Sequence, residues 1–234
     1  MYRLKKMLLN PFMINTGPPA PVEGDLEIIY GNERHSTNYQ GVVNYYYEYN
    51  YSCHFIEASR LTSIPDNAKI YKIQFQVDNS TTGTYPESAI DMWMGSTLSS
   101  YTEFPLNLMV NLNSVTDGTW NNQIQSLGKT KVISNGTRVY EQDTPDPDIN
   151  RWIDLEFDFN FNYTAGTNLC YTFRSNSGLW TPGSSNNPKH KGDNLSGTQP
   201  RHWATGQSIG TPFQDITPVN IDGTFRPNVK IFWN

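Results

Sequence analysis

Alanine is scarce in this chain of 234 residues, with 6 against 25 asparagines, 17 glycines and 15 prolines. Alanine is the best helix former, whereas Asn, Gly and Pro build turns and end helices, so the balance argues against a helical protein. Charge is sparse as well. Only 17% of residues are Asp, Glu, Lys or Arg, and the formal net charge is −5, which gives no electrostatic footprint for nucleic acid. No apolar run approaches the ~18 residues of a helical membrane span, so membrane insertion is not expected. The two cysteines, Cys53 and Cys170, lack CxxC or His spacing, and the four histidines, His35, His54, His190 and His202, form no H-E-x-x-H or H-x-E pattern. That removes the local signatures of a structural zinc site, a redox motif and zinc hydrolysis. Neither a G-x-S-x-G elbow nor a phosphate-cradling G-x-x-x-x-G-K-[ST] loop occurs. The chain is therefore expected to be non-enzymatic and without cofactor or metal. A pair of carboxylates for glycoside hydrolysis is not something that sequence spacing excludes.

What the chain has is aromatic content, 13% of its residues, and a strong period of two. Ile73, Phe75 and Val77 fall on one face of a strand and Lys72, Gln74 and Gln76 on the other. Ile90, Met92 and Met94 likewise oppose Asp91 and Trp93. The longest alternation sets Ile153, Leu155, Phe157, Phe159 and Phe161 against Asp154, Glu156, Asp158 and Asn160. Further strands are expected over 26–30, 42–49, 52–58, 106–112, 131–133, 168–174 and 228–233, separated by Gly- and Asn-rich turns such as Thr164 to Gly166. About ten strands without a helical period predict an all-β domain of two packed antiparallel sheets over residues 26–234. Residues 175–224 look least like strand. Residues 1–25 are basic and apolar first and then proline-rich, which predicts an extended N-terminal arm or linker.

Several residues invite a functional reading beside a structural one. Asp154, Glu156 and Asp158 lie at ~7 Å intervals on one strand face, suited to a cation or a basic partner, or else to keeping sheet edges from pairing. The loop acids Asp143, Asp146 and Asp148 suit a calcium ion or a stiff proline-rich turn. Trp180 and Trp203, with His202 beside the latter, stand in irregular sequence where their rings serve either packing or the apolar face of a sugar. The cysteines read as buried thiols or as a disulfide closing a long loop. Five N-x-S/T sequons are no more than an Asn-rich chain produces by chance. The cationic start is followed by Asn10 and Pro11 after a short apolar stretch, with no A-x-A-like cleavage pattern, so a signal peptide is not expected.

The run Tyr45-Tyr-Tyr-Glu-Tyr-Asn-Tyr-Ser-Cys-His-Phe-Ile-Glu-Ala-Ser-Arg-Leu61 and then Ala68 to Phe75 resembles the opening strands of an extracellular β-sandwich repeat of Bacteroidetes surface and secreted proteins. Ile90-Asp-Met-Trp-Met-Gly-Ser-Thr97, Trp152 to Phe157, Asn162 to Leu169 and Phe225-Arg-Pro-Asn-Val229 resemble its later strands in the same order. The resemblance spans residues 36–234 and implies a jelly-roll-like sandwich used for adhesion or glycan binding, with no binding residue to carry over. Members of that family follow a signal peptide and accompany an enzyme or sorting domain, whereas this chain reads as a free-standing domain. Its start, Met7-Leu-Leu-Asn-Pro-Phe12, resembles the opening of many phage structural proteins. Together these imply a virion protein of a crAss-like short-tailed phage, assembled in the host cytoplasm. The expectation is a tail hub, collar or decoration subunit in a symmetric homo-oligomeric assembly. It would contact other virion structural proteins and dock through arm residues Arg3, Lys5, Lys6, Leu8, Leu9 and Phe12. The alternative is an extracellular or cell-surface glycan-binding module using Trp180, Trp203 and His202.

Overall fold

A computed structural model describes residues 23–34, 49–77, 83–100, 130–142, 151–175, 190–194, 203–207 and 225–234, for some strand residues through the backbone alone. These residues form twelve strands and one 3₁₀ turn. The strands are β1 (Gly24–Ile28), β2 (Glu33–Arg34), β3 (Tyr49–Ile56), β4 (Lys69–Val77), β5 (Gly83–Thr97) and β6 (Thr130–Gln142). They continue as β7 (Arg151–Asn162), β8 (Asn168–Ser175), β9 (Lys191–Asn194), β10 (Trp203–Gln207), β11 (Phe225–Pro227) and β12 (Val229–Trp233), and the 3₁₀ turn is Ala58–Arg60.

The expected all-β architecture is what the chain adopts. One sheet has the order β1-β12-β4-β7 and a second the order β10-β3-β8-β5-β6; a small third sheet, β11-β9-β2, lies beside them. Every strand pair is antiparallel. Setting aside β2, β9, β10 and β11, the remaining eight strands pair first with last, second with seventh, third with sixth and fourth with fifth. The two large sheets pack face to face. Ile73, Phe75, Leu155 and Ile231 of one meet Ile90, Met92, Leu169 and Phe173 of the other in a single core, and the rings of Phe75 and Tyr171 lie 5.6 Å apart across it. Each of these side chains contributes roughly 1.5 to 3 kcal/mol by leaving water.

Alternation locates the core faces, but three places depart from it. On β5, Asp91 and Trp93 are buried along with Ile90 and Met92 of the other face, and Cys170 and Thr172 on the neighbouring β8 are buried with them, so alternation does not separate core from solvent at this part of the five-stranded sheet. On β7 the expected inward row breaks. Ile70 of β4 faces Phe161 and Lys72 faces Glu156, so Tyr71 alone stands opposite residues 157–160, which form an excursion that leaves Phe159 61% exposed. The third departure is in the segment from 175 to 224, which supplies β9 and β10. They are built from polar residues such as Lys191-Gly-Asp-Asn194 and carry no hydrophobic period. At the N-terminal boundary, β1 begins at Gly24, inside the span expected to be arm; residues 1–22 lie outside the described residues.

Asn228, fully buried between β11 and β12, ties the four-stranded sheet to the small third sheet. Its Oδ1 accepts from the backbone N–H groups of Tyr30 (2.7 Å) and Gly31 (3.2 Å), and its Nδ2 donates to Gly31 O (2.7 Å) and Gln76 Oε1 (2.6 Å). Its backbone N–H donates to Lys191 O and its carbonyl accepts from Gln76 N. The carboxamide thus uses both donors and both acceptor sites in the loop after β1 and on β4, and this explains why Gln76, on the polar face by alternation, is buried. Gly31 permits the contact, since a Cβ there would sit 2.6 Å from the Gly192 carbonyl oxygen. Asn228→Ala strands several buried polar groups and should lower the unfolding free energy by about 3 kcal/mol in urea titrations. Asn228→Asp, which places an acceptor against two acceptors, should cost more at neutral pH and recover part of the loss in acid, where the carboxyl regains a donor.

Candidate interaction face

The outer face of the four-stranded sheet is where polar chemistry is concentrated. Strand register builds it in two rows running across the sheet. One row is Asp25, Phe232, Lys72 and Glu156; the other is Glu27, Lys230, Gln74 and Asp154. In both rows the edge strands β1 and β7 carry acids and the central strands carry the cations. Lys230 Nζ reaches Asp25 at 2.9 Å, Lys72 Nζ stands 4.0 Å from Asp154, and Gln74 donates to the same Asp154 carboxylate. Phe232 lies beneath both ammonium groups, 4.1 Å from Lys72 and 5.4 Å from Lys230. Ring and cations attract at these distances, and the Lys stems cover apolar surface that would otherwise face water. Exposed ion pairs of this kind add little stability, so the face is above all a fixed charge pattern: neutralised at its centre and acidic at both edges.

The β7 excursion continues the acidic edge. The Ser134 backbone N–H of β6 donates to Asp158 Oδ2 at 2.9 Å, which fastens the excursion to the five-stranded sheet, and the neighbouring Phe159 is exposed. The sequence reading of Asp154, Glu156 and Asp158 left two alternatives, and the position of β7 at a sheet edge fits the protective one. It leaves the basic-partner reading available, because the carboxylates are exposed.

At one end of the sandwich, Tyr30 is held between two guanidinium groups, Arg60 at 4.6 Å and Arg226 at 4.7 Å from its ring centre. Arg226 Nη2 pairs with Asp193 at 2.7 Å, and Glu57 stands 4.0 Å from Arg226 and 3.8 Å from Arg60. Two cations and two carboxylates balance around one aromatic ring. This clasp joins the loop after β1, the 3₁₀ turn, β9 and β11; chemically it is a lock. Within the core behind it, His54 stacks on Tyr171 with centroids 4.8 Å apart.

Of the residues expected to form a functional site, the glycan candidates Trp180 and His202 and the arm residues Arg3, Lys5, Lys6, Leu8, Leu9 and Phe12 lie outside the described residues, as do Asp143, Asp146 and Asp148. Trp203 opens β10, at the edge of the five-stranded sheet, opposite Cys53 of β3. Cys170, buried on β8, stands opposite Phe55, so the two cysteines occupy adjacent strands two positions apart. No group of three or more His, Cys, Asp or Glu suited to a metal occurs among the described residues, and none of their helices is long and apolar enough to cross a membrane. The Tyr30 clasp was not legible beforehand. Its members are separated by up to 196 positions by their numbering, and no periodicity links them. Comparison with models of protein families, with curated proteins and with solved structures gives no match.

Burial, and secondarily the Tyr30 hydroxyl, pushes the Tyr171 phenol well above the ordinary tyrosine range; burial also raises Tyr163, against the hydrogen bond it makes with Thr167. A phenol whose folded pKa is raised contributes stability that is whole below the unfolded pKa of about 10 and declines as pH rises beyond it. Stability should therefore fall steeply between about pH 10 and 12. Tyr171→Phe should flatten that limb in denaturant melts taken across the alkaline range.

Proposed function

We propose that the chain is a non-enzymatic structural protein of a virion, a tail hub, collar or decoration subunit whose sandwich exists to make contacts with other proteins. The observation that carries this reading is the winding of the strands. Among the eight strands left when β2, β9, β10 and β11 are set aside, pairing first with last, second with seventh, third with sixth and fourth with fifth is the pattern a jelly roll would give, and it supports that reading. Viral capsid domains and lectins are built as jelly rolls, so this pairing supports a contact-making role by analogy. The side-chain chemistry agrees in kind: the clasp around Tyr30 and the carboxamide of Asn228 are internal ties, and the β7 edge presents charge and an exposed aromatic ring.

Under this reading the basic and apolar residues before β1 dock the subunit on a neighbour. A chain lacking residues 1–22 keeps β1 intact and should retain the far-UV spectrum and melting behaviour of the whole protein. It should fail to enter particles when supplied in place of the full chain. Undiminished incorporation counted by quantitative mass spectrometry of purified virions would refute the docking role.

A second reading, a glycan-binding module at a cell surface or on the virion, draws on the place of Trp203 at a sheet edge. On a glycan array it requires saturable signal for the full chain, lost on Trp203→Ala or Trp180→Ala.

A further inference from the structure

We propose that the acceptor for the basic arm is the β7 edge of a second copy of this chain, so that copies join head to tail with the arm of one strapped across the next. The proposal rests on the structural reading above and adds to it the partner and the surface.

Three observations lead there. First, β7 is one edge of the four-stranded sheet and β1 the other, three strands away. The residues before Gly24 join the body at β1, and the exposed aromatic ring and the acids stand at β7, on the opposite edge of the sheet. A contact between two different patches on identical subunits is heterologous and propagates into a ring or a filament. Second, both edges are acidic: Asp25 and Glu27 on β1, Asp154 and Glu156 on β7, all exposed. Two such edges repel if brought together bare. A segment carrying Arg3, Lys5 and Lys6 supplies the opposite charge, and Arg3 and Lys5 repeat the period-two spacing of Asp154 and Glu156. Third, the β7 excursion, anchored by Ser134 to Asp158, presents Phe159 at 61% exposure beside those acids. A large ring held out by its own backbone is a ready anchor for Leu8, Leu9 and Phe12, whose apolar side chains follow the cations in the arm. A charged run followed by apolar residues is matched by an acidic strand that ends in an exposed phenylalanine.

The test uses the purified full chain in sedimentation velocity over a concentration series at low and high salt. The expected result is self-association weakened by salt. Glu156→Lys, Phe159→Ser and Lys5→Glu should each raise the dissociation constant roughly tenfold or more, with melting temperatures unchanged; Glu156 and Phe159 are exposed. Combining Lys5→Glu with Glu156→Lys should recover affinity relative to either alone. A chain that stays monomeric at every concentration overturns the proposal, including by an arm folded onto its own body. Association indifferent to these substitutions, or a double reversal no better than the single ones, also overturns it. A monomeric chain that still enters particles sinks this proposal alone. A self-associating chain absent from particles sinks the virion reading and leaves this contact standing.

Discussion

The need to satisfy a buried carboxamide at position 228 governs how the small third sheet is set against the four-stranded one. Asn228 sits between β11 and β12 with no solvent to bond to, so all four of its side-chain hydrogen bonds must come from protein: two backbone donors after β1, one carbonyl there, and the Gln76 amide oxygen. Satisfying them draws the loop after β1 against Gly192 of β9, a closeness only a glycine at position 31 allows. Once that loop is in place, Tyr30 falls between Arg60 and Arg226, and the small sheet is fixed on the end of the sandwich. A half-satisfied network here would be worse than an apolar one, since each stranded group costs its full desolvation.

Asn168 solves a similar problem at the start of β8. Its Oδ1 accepts from the Ala58 N–H at 2.8 Å and its Nδ2 donates to Leu98 O at 2.7 Å, tying the 3₁₀ turn to the end of β5. Both asparagines are thus internal braces. With polar side chains committed to bracing, contact chemistry is left to the outer face of the four-stranded sheet and its β7 edge. The cations lie on the central strands and the acids on the outer ones, a distribution that discourages bare edge-to-edge pairing.

Much of the fold was legible from period two alone. Ile73, Phe75 and Val77, then Ile90, Met92 and Met94, and Ile153 with Leu155 all face the core as alternation requires, because a strand in a half-buried sheet must send successive side chains to opposite sides. The turn at Thr164 to Gly166 was legible from its residue types; Gly166 indeed takes a positive φ of 77°. Phe159 was misplaced because alternation assumes an unbroken ladder, and the ladder breaks where Tyr71 stands opposite four residues of β7. The short strands β2 and β9 carried no signal, since two to four polar residues pair only when a neighbouring edge is presented to them; β11 had no period either and was read only through the resemblance of Phe225 to Val229.

The sequence by itself determined the class of structure: an aromatic, Asn- and Gly-rich chain with alternating apolar residues and little alanine can bury its surface only as packed sheets. It also determined the charges of both the arm and the β7 row. Tertiary structure alone decided which strands are edges, that acids gather at both edges of one sheet, and that Tyr30, Arg60 and Arg226 meet. Those are consequences of long-range register. Hydrogen-bonded pairing brings together residues hundreds of positions apart, and no local pattern of residue types encodes the partner.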